Sequence, residues 1–312
     1  MSSTAFVFPG QGSQFIGMGK ELYEASLAAR EVFQEVDETL KINLTRLIFD
    51  GPSEQLMLTQ NTQPALMAVS LAIVRTLVKE AGVEIKNLKF VAGHSLGEYS
   101  ALAAVGSLTL SDCAKLLRQR GESMQAAVPV GQGAMAALLG AELDQVENII
   151  KEAAQRDICE IANDNSPGQI VISGHVEAVN RAIEIAKSMN IKRAVILPVS
   201  APFHCSLMKP SAEAMKPALE ATLFKAPSVP VVFNVTAQSE DNSQTYAGLL
   251  VRQITNRVRW RESISYMKMQ GVTKVIEVGA GKVLTGLTKR IAPELEGISI
   301  QTPADIDVFL KQ

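Results

Sequence analysis

At 312 residues, with 47% apolar and 20% charged positions, the chain has enough apolar mass for a sizeable core and none of the bias of a disordered segment. A formal net charge of −2 offers no basic footprint for nucleic acid. The longest apolar stretch, Ala65 to Val78, is interrupted by Ser70 and Arg75, and Met1 to Gly10 lacks a basic region ahead of an apolar one, so a soluble cytoplasmic protein that touches no membrane is expected.

Short apolar runs bounded by Gly and Pro alternate with helical patterns, which predicts an α/β fold with a parallel sheet. Ala5 to Phe8 reads as a strand that ends in the turn Pro9-Gly10-Gln11-Gly12. Gln63 to Lys79 is helical by spacing. Leu88 to Ala92 reads as a buried strand feeding Gly93-His94-Ser95-Leu96-Gly97, with Glu98 to Val105 as the helix that follows.

The middle of the chain changes rhythm. Strand Ala134–Leu139, helix Leu143–Ala154 and strand Ile158–Ala162 are followed by a turn over Asn163-Asp164-Asn165-Ser166-Pro167-Gly168. Strand Gln169–Ser173, helix Val176–Met189 and strand Arg193–Pro198 complete a β-α-β-β-α-β order, the ferredoxin-like pattern. Strands Val231–Val235, Thr273–Val278 and Ile298–Gln301 resume the first rhythm. The expectation is a large α/β domain over 1–130 and 200–312, with a small ferredoxin-like domain over 131–199 inserted in it, and a ligand cleft between them.

Gly93-His94-Ser95-Leu96-Gly97 fits the nucleophile elbow G-x-S-x-G, and its strand-before, helix-after context is the one an elbow requires. A serine needs a base, and only three histidines exist. His94 adjoins Ser95 and should project away from it, while His175 reads as a polar helix-entry residue. By elimination His204 is the base. No acidic residue after Ser95 volunteers to orient it, which leaves room for a backbone carbonyl.

On the helix Ser111 to Met124 the apolar stripe runs through Cys113, Leu116, Leu117 and Met124, and Arg120 falls in its middle. An inward arginine needs an anion: either an internal Asp or Glu, or a carboxylate on the substrate. Cys113, Cys159 and Cys205 read as small buried thiols. Scattered Cys and His offer no ligand spacing, so neither a metal nor a cofactor is expected.

Together, Phe8-Pro9-Gly10-Gln11-Gly12-Ser13-Gln14, Gly93 to Glu98, Arg118-Gln119-Arg120-Gly121, Asn163 to Gln169, Phe203-His204 and Glu277-Val278-Gly279 resemble the malonyl-CoA:acyl carrier protein transacylases nearly end to end. The resemblance implies an α/β-hydrolase-like core with a ferredoxin-like insertion. It implies an acyl-serine at Ser95, a base at His204 held by the main-chain carbonyl of Gln253, and a carboxylate clamp at Arg120. Oxyanion donors are then the Gln11 and Leu96 N–H groups, with Asn163 and Phe203 at the acyl pocket. Malonyl-CoA and an acyl carrier protein bearing a phosphopantetheine thiol are the implied partners of a monomer, and Lys289, Arg290, Arg257, Arg259 and Arg261 are candidate contacts for the carrier. A serine hydrolase or thioesterase of the same fold, or a silent binding module, remains the alternative.

Overall fold

The computed structural model describes residues 3–311. Its strands are β1 (Thr4–Phe8), β2 (Phe90–Gly93), β3 (Gly133–Leu139), β4 (Cys159–Ser166), β5 (Gln169–His175), β6 (Arg193–Ile196), β7 (Val231–Val232), β8 (Ser239–Glu240), β9 (Lys274–Val278) and β10 (Glu296–Ile300). Six of them form one sheet in the order β10-β9-β1-β2-β7-β8, parallel except for the short antiparallel edge strand β8.

That sheet is covered on both faces, so its central strands are apolar throughout rather than alternating. In β1 the pleat sends Phe6 and Phe8 into one core, with the helices Thr59–Lys79 and Leu110–Ala126. Ala5 and Val7 enter another, with Trp260, Ile264 and Leu287. Burial of this kind is worth roughly 25 cal/mol per Å² of apolar surface, which makes this two-sided core the main stabilising element.

The remaining four strands form a separate antiparallel sheet in the order β4-β5-β3-β6. Its elements follow the β-α-β-β-α-β sequence, with helices Leu143–Ala154 and Val176–Ser188 as the two crossovers. Ala136, Leu138, Ile170 and Ile172 pack against these helices in their own core. Met135, Ala137 and Val171, on the opposite face, join the core of the large sheet instead. The small sheet is thereby laid over one end of the large one.

Several expected boundaries move. The helix expected from Gln63 begins at Thr59, with Pro64 inside it. The strands expected over Arg193–Pro198 and Val231–Val235 stop at Ile196 and Val232. The polar run expected to turn after Ala162 is strand as far as Ser166, with register shifts on the way. The physical reason is that its polar groups find partners in place. Asp164 N–H donates to the Val258 carbonyl, Val258 N–H donates to Ala162, and the buried Asp164 carboxylate accepts from Arg261 Nη2 at 2.8 Å. Burial raises the Asp164 carboxyl above its usual range, and the Arg261 charge opposes that rise.

Candidate active site

The nucleophile elbow is forced by close packing of backbone on backbone. A Cβ on Gly93 would lie 1.9 Å from the Gly97 carbonyl, and one on Gly97 would lie 2.3 Å from the Phe8 carbonyl oxygen. Only glycine fits at either place, and between them Ser95 takes a left-handed backbone at φ 54. The helix Gly97–Ala104 starts immediately after, so its N-terminus faces the serine oxygen and favours negative charge there.

Ser95 Oγ lies 2.7 Å from His204 Nε2. His204 Nδ1 lies 2.9 Å from the main-chain oxygen of Gln253, and because a carbonyl only accepts, Nδ1 carries the proton. Nε2 of the neutral ring is then the acceptor for the serine hydroxyl. Burial, followed by the nearby Arg120 charge, pushes the His204 imidazolium down to about 3, so the ring is a neutral base at ordinary pH. His94 turns away, as expected: its Nε2 meets Asn165 Oδ1 at 2.8 Å. His175 stands at the entry of the helix Val176–Ser188 without a capping hydrogen bond, and its Nδ1 accepts from the Ile158 N–H at 2.9 Å.

Arg120 is 1% exposed and points into the site. The helix Leu110–Ala126 carries it up to the helix Thr59–Lys79 at Gly121, where a Cβ would lie 2.4 Å from Gln60 Cα. Its Nη1 donates to Gln63 Oε1 at 2.7 Å, and its Nη2 donates to Gln253 Oε1 at 2.8 Å and to Ser95 Oγ at 3.2 Å. The ring of Tyr99 lies 5.7 Å from the guanidinium. Among the described residues no carboxylate pairs with it within salt-bridge reach. The internal-ion-pair alternative thus fails, and a buried cation held by neutral groups stands ready for an outside anion.

These groups line one cavity of about 460 Å³, together with Gln11, Leu96, Asn163 and Phe203. The Gln11 and Leu96 N–H groups donate to no protein acceptor among the described residues, leaving both for a ligand oxygen. Every expected site residue is therefore at the cleft or, for Gln253, directly behind it. Arg257, Arg259 and Arg261 do not form a free basic patch, because Glu262 pairs with the first two and Asp164 with the third. The exposed Arg290 donates to Gln169 Oε1 at 2.6 Å. Glu277 of the Glu-Val-Gly motif is structural: its carboxylate accepts from the N–H groups of Leu284 and Thr285 at a helix start.

Sequence reasoning missed Gln63, the side chain of Gln253, Glu98 and Asn234. Amide side chains have no motif of their own, and Glu98 read only as the first residue of a helix. In the structure it is a fully buried carboxyl, raised to about 8 by burial, with Oε2 accepting from the Asn234 N–H.

Comparison with known proteins bears directly on this arrangement. The acyl transferase domain family matches residues 5–300. A malonyl CoA-acyl carrier protein transacylase of Bacillus subtilis is 46% identical over all of this chain and 97% of its own. The chain belongs to the malonyl CoA-acyl carrier protein transacylase family. An acyl-carrier-protein-S-malonyltransferase structure from Bartonella henselae superposes on this transacylase-family chain with a TM-score of 0.96 at 52% identity, covering 99% and 98% of the two chains. A malonyl-transacylase solved in complex with its type II PKS acyl-carrier protein gives 0.96 at 42% identity over 99% of both chains.

Proposed function

We propose that this chain moves a malonyl group from malonyl-CoA to the phosphopantetheine thiol of an acyl carrier protein, in fatty acid synthesis, through a malonyl-Ser95 intermediate. One observation carries the reading: a single serine oxygen lies 2.7 Å from the neutral nitrogen of His204 and 3.2 Å from the Arg120 guanidinium. The first contact makes a nucleophile, and the second selects an acyl group that carries its own carboxylate close to the reacting carbon.

His204 Nε2 takes the Ser95 proton as Oγ attacks the thioester carbon. The resulting oxyanion accepts from the Gln11 and Leu96 N–H groups. As the carbon–sulfur bond breaks, the imidazolium returns its proton to the CoA sulfur. The carrier thiol then enters the same cleft, gives its proton to His204, attacks the ester and restores Ser95, a ping-pong sequence. Arg120 pairs with the malonyl carboxylate throughout, while Asn163 and Phe203 line the acyl end of the cleft. No resident cofactor is required, since both partners bring their own pantetheine arm.

The strand order β4-β5-β3-β6 supports a ferredoxin-like domain over 131–199, inserted between 1–130 and 200–312 of an α/β-hydrolase-like body. Among the described residues no helix is long and apolar enough to cross a membrane. A cytoplasmic monomer acting on a diffusible carrier is part of the proposal.

Intact-mass measurement after brief exposure to malonyl-CoA tests the reading. A malonyl adduct is expected on the unsubstituted protein and absent in Ser95→Ala. Steady-state transfer to the carrier should exceed hydrolysis by a large factor; the reverse ratio would make the chain a thioesterase.

A further inference from the structure

We propose that Asn234 is a positioning residue for the nucleophile, its carboxamide clamping the elbow so that Ser95 Oγ is aimed at the carbon, and the Leu96 N–H at the oxygen, of the same reacting carbonyl. Asn234 is fully buried and stands two residues beyond β7. Its Oδ1 accepts from the Ser95 N–H at 2.8 Å, and its Nδ2 donates to the Gly93 carbonyl at 2.7 Å. Its own N–H donates to Glu98 Oε2 at 2.6 Å, and its carbonyl accepts from the Arg259 N–H at 3.1 Å. Each of these groups thus has a partner, and the carboxamide grips the two sides of the turn.

The topology explains why a side chain is needed there. Pairing of β2 with β7 ends at Ala92 opposite Val232, one residue short of Gly93. On the other side Gly93 still pairs with Phe8 of β1 and the His94 N–H donates to the Phe8 carbonyl at 3.0 Å, but on the β7 side no main-chain ladder reaches the elbow. A carboxamide carries an acceptor and a donor on one planar group, as a peptide does, and so continues the ladder across the turn. The need is acute because Ser95 holds a left-handed backbone, which persists only where its surroundings over-determine it. On the far side Gln253 Nε2 donates to the Ser95 carbonyl at 2.9 Å, so amide side chains grip the nucleophile's main chain on both its N–H and its C=O. Neither Asp nor Leu has the same pair of functions: Asp lacks the donor and Leu lacks both.

The proposal rests on the acyl-serine reading, and its test separates the two. Asn234→Ala and Asn234→Asp are compared with the unsubstituted enzyme in single-turnover acylation by malonyl-CoA and by acetyl-CoA, and in labelling by a small fluorophosphonate. That probe needs an aimed hydroxyl and its oxyanion donors but neither CoA nor Arg120. Acylation and labelling should both fall by roughly 10²-fold in the alanine variant, with malonyl-CoA KM and the malonyl-to-acetyl ratio held within about threefold because Asn234 does not touch Arg120. Retention of labelling within about threefold in a folded variant would reduce Asn234 to packing, and a changed acyl ratio would mean general deformation of the site; either overturns the proposal. Should a variant fail to fold, amide hydrogen exchange in the unsubstituted protein decides: the Ser95 N–H should exchange only with global opening, and rapid exchange refutes the clamp. Failure of the unsubstituted enzyme to acylate would sink the acyl-serine reading alone.

Discussion

Arg120 donates a 2.8 Å hydrogen bond to the side-chain oxygen of Gln253, the residue whose main-chain carbonyl also holds His204. The proposed carboxylate clamp and the proposed base are thus indexed to one position on the helix Tyr246–Thr255. Gln253→Ala keeps the carbonyl that fixes the histidine tautomer but strips Arg120 and the Ser95 carbonyl of a partner. A hydrogen bond to a charged group is worth about 1.5–3 kcal/mol, so malonyl transfer should fall roughly 10- to 100-fold. Transfer of acetyl, which does not use the clamp, should fall less; steady-state rates with both acyl-CoAs make the comparison.

Arg120→Ala removes the only cation aimed at Ser95 Oγ among the described residues. Malonyl transfer should drop by roughly 10²-fold or more, while acetyl transfer is relatively favoured. Equal losses on the two substrates would show that the guanidinium serves the serine rather than the acyl carboxylate.

The low His204 value has a kinetic consequence with a definite sign. Its active form is the neutral one, and burial first, then Arg120, holds it neutral down to about pH 3. Acylation measured by rapid quench should therefore be level from about pH 5 to pH 7, with no limb near the ordinary histidine value of about 6.5. Removing the second cause in Arg120→Ala should move the acid limb upward. The same depression means that this residue's contribution to stability is present above the unfolded value and is lost as pH falls from about 6.5 towards 3.

Where the small sheet meets the large body, Arg261 pairs with a fully buried Asp164. Arg261→Ala removes that carboxylate's hydrogen-bonded cation and leaves only the weaker pull of Arg257, at a cost of up to about 3 kcal/mol. The melting temperature should fall clearly, and adding Asp164→Asn should recover part of the loss. Calorimetry of the three proteins checks it.

Much of this site was legible because three of its side chains sit in contexts that constrain them. The elbow glycines declared Ser95, elimination among three histidines left His204, and helical phase turned Arg120 inward. The amides were not legible. Gln253 lies 158 positions from Ser95 and Asn234 lies 139, and nothing along the chain marks a carboxamide that will meet backbone across such a distance. The same physics spoiled the reading of Asn163 to Ser166, where the Asp164 and Asn165 side chains that signal a turn instead meet Arg261 and His94, and the main chain pairs with Val258. Element order survived these errors because it follows apolar runs, which long-range polar contacts do not erase.

Ser95 and His204 are two of the six non-glycine residues with positive φ among the described residues, at 54 and 58. Such a conformation costs a side-chain-bearing residue on the order of 1 kcal/mol that glycine does not incur. On the proposed mechanism, heat tolerance and turnover therefore pull in opposite directions at these two positions. A library of this chain ranked only by survival of heating would drift towards Ser95→Gly, and its winners would be sturdier and inert.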